Sequence, residues 1–130
     1  MEHDVEKIRF TLRKKEILRK KKLIKELFEH GSSFFLHPFK IFYLSSPELK
    51  NNQFLFSVSK KYFKNSTDRN LIKRRIRESL RLNKHALLLG QNNIYYCIAI
   101  VYISKDIMAF NEIEHKLIEA LGRLNNIEEK

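Results

Sequence analysis

Ser57-Val-Ser-Lys-Lys-Tyr-Phe-Lys-Asn-Ser-Thr-Asp-Arg-Asn-Leu-Ile-Lys-Arg-Arg-Ile-Arg-Glu-Ser-Leu-Arg-Leu-Asn-Lys84 is the stretch whose reading decides the fold. Asn65, Ser66, Thr67 and Asp68 carry side-chain oxygens suited to cap a helix N-terminus, and after them Leu71, Ile72, Ile76 and Leu80 recur at helical spacing. A strand therefore feeds a loop and then a helix. At about 100° per residue, Ile72, Ile76 and Leu80 fall on one stripe, and Asn70, Lys73, Arg74, Arg77, Arg81 and Lys84 spread over an arc beside it. Arg69 lies at the edge between the two, in the first turn. A solvated helix face usually mixes Glu with Lys in i, i+4 pairs. Between Lys60 and Lys84, ten basic residues meet only Asp68 and Glu78. Uncompensated charge on a rigid helix repels itself unless an anion neutralises it, and phosphate is the natural anion.

The whole chain repeats that imbalance. Its 130 residues, enough for one domain with a real core, hold 26 Lys and Arg against 15 Asp and Glu, a net charge of +11. Ten basic residues lie between Lys7 and Lys25 and ten between Lys60 and Lys84, so two segments must supply the surface for a polyanion. Cys97 is the only cysteine and sits in an apolar run. It reads as a buried structural thiol, and a reducing cytoplasm fits. No run reaches the roughly 18 apolar residues of a membrane span, so no membrane partner is expected.

In chain order, residues 1–16 read as a basic N-terminal arm, frayed or folding on a partner, ahead of one polyanion-binding domain over 17–130. From about Leu18 to His30, Leu23, Ile24, Leu27 and Phe28 give an amphipathic helix that Gly31 is expected to end in a left-handed conformation. Phe34 to Leu44 reads as one strand interrupted at His37-Pro38, with Phe39, Ile41 and Tyr43 on one face and Lys40, Phe42 and Leu44 on the other. A turn through Pro47 leads to a second strand, Gln53 to Ser59, expected to pair antiparallel with the first. The basic helix should run from Ser66 to near Leu89, where Gly90-Gln-Asn-Asn breaks it. Ile94 to Ile103 describes a central strand buried on both faces. Asp106 to Leu124 closes the chain as a helix with Phe110, Ile113, Leu117, Ile118 and Leu121 inward. Helix, strand, strand, helix, strand, helix makes an α+β domain, its helices packed on a small mixed sheet.

Protein-borne catalysis lacks its parts. Asp68 and Glu78 stand at opposite ends of one helix, and His3, His30, His37, His85 and His115 show no ligand spacing. With Gly31, Gly90 and Gly122 as the only glycines, there is no Gly-rich phosphate loop. The residues point to binding, with no metal held by the protein.

Ser57-Val58-Ser59-Lys60-Lys61, then Asn65, then Arg69-Asn70-x-x-Lys73-Arg74-x-x-Arg77-Glu78 resembles the signature of the bacterial ribonuclease P protein subunit. The resemblance extends from about residue 18 to 124 and includes Leu27-Phe28-Glu29-His30-Gly31 at the end of the first helix. It implies a small basic partner of a catalytic RNA that holds Mg2+ and removes the 5′ leader of precursor tRNA, with no catalytic residue on the protein and neither DNA nor a protein oligomer implied. It also implies a left-handed crossover around the motif helix, against the usual right-handed rule. Carried over by position, Ser57, Ser59, Lys60, Lys61, Asn65, Arg69, Asn70, Lys73, Arg74 and Arg77 would contact RNA. Phe28 and Phe42, rimmed by Lys21 and Lys25, would line a cleft for the leader. Leu71 stands where the family often has Arg, Ile24 where an aromatic is common, and Ser66-Thr67 where Ala-Val is frequent. A ribosomal or other structural RNA-binding protein would share the charge and fold class but not this motif. A helix-turn-helix DNA reader would need a second helix where strands flank this one.

Overall fold

The computed structural model of the protein describes residues 13–88 and 93–127. Three helices, α1 (Lys21–His30), α2 (Ser66–Asn83) and α3 (Phe110–Asn125), pack on four strands, β1 (Ser32–Leu36), β2 (Phe39–Ser45), β3 (Gln53–Val58) and β4 (Tyr96–Tyr102). The sheet order is β1-β2-β4-β3. β2 pairs antiparallel with both β1 and β4, whereas β3 runs parallel to β4, and α2 makes the crossover between that parallel pair.

Alternation along the strands divides the core in two. Phe39, Ile41, Phe54, Ile98, Ile100 and Tyr102 face α2 and α3 and meet Ile72, Ile76, Leu80, Ile113, Leu117 and Leu121. Cys97 and Ala99, with Phe42, Leu44 and Leu55 partly buried beside them, face α1 and meet Leu23 and Leu27. β4 is thus covered on both sides, as its unbroken apolar run requires. The expected alternation of Phe39 to Leu44 and the inward stripe of α2 are both present.

Several boundaries differ from the sequence reading, each for a local reason. The segment expected as one strand is a hairpin. Its chain reverses at the cis His37–Pro38 peptide, and Ser32–Leu36 folds back on Phe39–Tyr43, adding a strand to the order. β2 and β3 do not pair, because β4 lies between them. Gly31 is extended, not left-handed, at φ −73° and ψ 159°. It is needed for space, since a Cβ there would lie 2.3 Å from the Leu27 carbonyl oxygen and 3.0 Å from that of Tyr43.

α1 starts at Lys21, not near Leu18, because Leu18 is buried and donates its N–H to the Phe54 carbonyl at 2.8 Å. α2 ends at Asn83, whose side chain donates to the Ser79 carbonyl at 2.8 Å and to Glu114 at 3.0 Å, and a short 3-10 turn follows over Lys84–Ala86. The breaker expected beyond it lies, apart from Asn93, outside the described residues. α3 starts at Phe110 because the Tyr102 hydroxyl holds the preceding loop, donating to the Asp106 carbonyl at 2.6 Å and accepting from the Met108 N–H at 3.1 Å. Ile118 faces solvent, and Ala120 and Leu124 take places in the core.

The arm expected over 1–16 lies outside the described residues up to residue 12. Its last residues, Lys14–Glu16, form a 3-10 turn, and Ile17 then bridges in parallel to Phe54, covering the outer edge of β3. Among the described residues, no helix is long and apolar enough to cross a membrane.

Candidate nucleic-acid interface

The segment through Ile17 and Arg19 and the outward side of α2 are the two walls of a groove of about 660 Å³, and Phe54, Leu55 and Phe56 on β3 are its floor. Asn70, Lys73, Arg74 and Arg77 line the α2 wall with Glu78 and Arg81. They stand there because the i, i+3, i+4, i+7 spacing puts them on one stripe while Ile72, Ile76 and Leu80 are wholly buried on the other. Asn70, Arg74 and Arg77 are exposed, and Lys73 is partly buried. The Arg77 guanidinium lies 6.0 Å from the centre of the Phe56 ring. Four guanidinium or ammonium groups of α2 and one of the N-terminal segment thus converge on a groove with a single carboxylate, Glu78. Arg81 pairs with that carboxylate and, by hydrogen bonding to it, holds it below the usual carboxylate range.

Three other basic residues of this region are engaged inside the protein. Lys84 pairs with Glu16 at 2.8 Å, both side chains largely buried, which fastens the N-terminal segment to the end of α2. The Arg69 guanidinium donates to the Phe63 and Lys64 carbonyls at 2.7 and 2.9 Å, tying down the loop that enters α2. Arg75 donates to the Met108 carbonyl at 2.7 Å, linking α2 to the start of α3.

The signature residues outside the groove form the connection between β3 and α2. Ser57 is partly buried at the end of β3, and the Ser59 hydroxyl oxygen accepts from the Lys61 N–H at 3.0 Å. Lys60 and Lys61 are exposed. Asn65 occupies the N-cap position with no side-chain capping bond, and its carbonyl accepts from the Arg69 N–H at 3.3 Å.

On the other side of the sheet, Phe28 and Phe42 meet edge to face with ring centres 4.8 Å apart. Phe28 is 41 % exposed at the end of α1 and Phe42 is partly buried on β2. The Lys40 ammonium stands 4.9 Å from the Phe42 ring centre. Lys21 and Lys25 are exposed and share the i, i+4, i+7 stripe of α1 with Phe28. The sequence-predicted residues therefore fall into three groups: the groove, the β3–α2 connection, and the aromatic pair.

Arg81 joins the groove from the basic arc read in the sequence, and Arg19, Phe54 and Phe56 join it although the sequence reading assigns them to no site. Alternation places Phe54 and Phe56 on one face of β3, which could have found them. Nothing local signals that Arg19 returns to the same groove. Among the described residues, no group of three or more His, Cys, Asp or Glu is placed to hold a metal ion.

The chain is similar to known proteins over most of its length. The family model described as Ribonuclease P matches residues 12–125. The ribonuclease P protein component of Porphyromonas gingivalis strain W83 is 34% identical over 119 residues, spanning 88% of this chain and 87% of its own. That of Chlorobium phaeobacteroides is 37% identical over 105 residues, spanning 72% of each chain. Among solved structures, the RNase P protein of Staphylococcus aureus superposes with a TM-score of 0.69 at 24% identity, covering 86% of this chain and 96% of that one. The RNase P protein from Thermotoga maritima gives 0.67 at 23%, covering 83% and 96%. A crossover of opposite hand would not superpose over such a span, so the β3–α2–β4 connection takes the hand of those folds. With the matched model, the relatives and the shared fold all covering the same domain, the chain belongs to the ribonuclease P family as its protein component.

Proposed function

We propose that the protein binds the catalytic RNA of ribonuclease P and the 5′ leader of precursor tRNA, and assists Mg2+-dependent removal of that leader in the cytoplasm. The observation that carries this reading is the convergence of Lys73, Arg74, Arg77 and Arg19 on one groove floored by Phe54 and Phe56. Cations on rigid elements displace counterions from RNA without needing a base sequence. Exposed rings offer stacking platforms to unpaired bases. The groove and the β3–α2 connection, including Ser57, Ser59, Lys60, Lys61 and Asn65, take the catalytic RNA. Arg69 acts by fixing that connection through the Phe63 and Lys64 carbonyls. The aromatic pair Phe28 and Phe42, with Lys21 and Lys25 on the same stripe of α1, takes the leader.

Mg2+ belongs to the RNA in this reading and supplies activation of the attacking water there. The protein's part is to screen phosphate repulsion and hold the leader. Its own residues favour that division, because the cationic groove has one carboxylate and that carboxylate is paired with Arg81. The test is reconstitution. Protein freed of RNA leaves precursor tRNA intact, and adding the catalytic RNA with Mg2+ at low salt yields mature 5′ ends. Cleavage by the RNA-free protein would overturn the assignment.

A further inference from the structure

α1 covers only part of its side of the sheet, and the uncovered part carries a row of register partners. Phe35 on β1 pairs with Lys40 on β2, Lys40 with Val101 on β4, and Val101 with Ser57 on β3. Paired residues in a sheet project from the same face, so this row crosses all four strands, about 14 Å at the usual strand spacing. Phe42, two residues beyond Lys40, projects from that face too. The Lys40 ammonium lies 4.9 Å from the ring centre of Phe35 and 4.9 Å from that of Phe42. Phe35 is 63 % exposed, more than the other exposed large apolar side chains of the described residues.

A bare aromatic on an edge strand invites aggregation unless something occupies or guards it. Here a cation is held between it and the aromatic pair on α1 and β2. The alternation of ring, ammonium, ring matches a single strand of RNA, whose bases stack and whose phosphates need positive charge. β1 is the sheet edge opposite β3, where the cationic groove lies. On the α1 face, a strand that crosses from the β3 edge toward β1 meets Phe42 and Lys40 on β2 before Phe35 on β1.

We propose that Phe35 and Lys40 form a distal subsite for the leader of precursor tRNA: a base stacks on Phe35 and Lys40 neutralises the adjoining phosphate, upstream of the nucleotide held at Phe42. The subsite rests on the reading that Phe28 and Phe42 hold the leader, and leader length separates the two. Precursor tRNAs with successively longer leaders, and mature tRNA, are titrated against the reconstituted holoenzyme carrying Phe35→Ala, Lys40→Gln or Phe42→Ala.

With the unaltered protein, affinity rises when the leader grows past the nucleotides reached by Phe42. Phe35→Ala abolishes that last rise, a loss of about fivefold or more on long leaders, and leaves the shortest leader unaffected. Lys40→Gln gives the same selectivity with a shallower salt dependence. Phe42→Ala already weakens the short leader. Should Phe35→Ala change no leader while Phe42→Ala does, the distal subsite is wrong and the cleft stands. Should neither change any leader, the cleft reading falls and the subsite with it. Equal losses for mature tRNA and every precursor, together with a lowered melting temperature, would make Phe35 structural and overturn the proposal.

Discussion

The two sides of the sheet offer different chemistry to solvent. On the α2 side, long flexible cations stand over a mostly buried aromatic floor, with the Arg77 guanidinium 6.0 Å from the Phe56 ring centre. On the α1 side Phe28 and Phe35 are exposed and Phe42 is partly buried, with the Lys40 ammonium between Phe35 and Phe42. Cations over a groove suit the regular phosphates of a folded RNA, read without regard to sequence. Exposed rings suit unpaired bases. Each sheet face has its own helix and its own core, and on the proposed reading that lets one small domain hold two RNAs at once. The difference teaches that charge count alone says little about which cations are open to a ligand. Arg69, Arg75 and Lys84 look like binding residues by charge but hold the scaffold together.

The largest effects test whether the two faces are independently supported. Ile76→Ala beneath the cationic wall and Leu27→Ala beneath the aromatic pair each remove a fully buried side chain and should cost about 2–5 kcal/mol of stability in chemical unfolding. Leu27→Ala should also speed alkylation of Cys97, which lies under α1. Burial pushes that thiol up to about 11, so in the intact fold it stays protonated at neutral pH and reacts slowly.

Next in size, Phe42→Ala should weaken precursor tRNA by about 1–3 kcal/mol relative to mature tRNA. Equal loss for both RNAs with a large fall in melting temperature would return this ring to the core. Arg74→Ala with Arg77→Ala should leave the melting temperature unchanged. Its signature is a shallower salt dependence of catalytic-RNA binding, by about 0.7–0.9 in the log–log slope per lost phosphate contact.

The smallest effect is the Glu78–Arg81 pair, a half-exposed i, i+3 contact worth about 0.2–0.5 kcal/mol. Because its folded carboxyl titrates below the unfolded one, its contribution is present above the unfolded value and lost as pH falls through the lowered one. Glu78→Gln should flatten the acid limb of the stability profile by that small amount.

Much of this was legible in the residues. The 3.6-residue period of Ile72, Ile76 and Leu80 and the alternation from Phe39 to Leu44 carry their own geometry, so α2 and the two faces of β2 follow from local sequence. What could not be read depends on contacts between distant segments. The insertion of β4 between β2 and β3 is a topological choice that leaves no mark on either strand. Gly31 is extended where a left-handed cap is expected, and a side chain does not fit because the Leu27 carbonyl, and with it the Tyr43 carbonyl of a distant strand, close on that position. The division of the basic residues between groove and scaffold required knowing where Glu16, Phe63 and Met108 lie. The family resemblance implies that Phe28 and Phe42 line a leader cleft, and what the structure adds is that the two rings meet edge to face.

The central claim is that the two faces serve two RNAs. The most direct test compares Arg74→Ala/Arg77→Ala with Phe42→Ala in two titrations, one against the catalytic RNA alone and one of precursor against mature tRNA on the reconstituted complex. The arginine variant should weaken the first with a reduced salt slope and leave the precursor-to-mature affinity ratio unchanged, and Phe42→Ala should do the reverse. If both variants weaken both titrations in the same proportion, the faces do not act separately and the division is wrong.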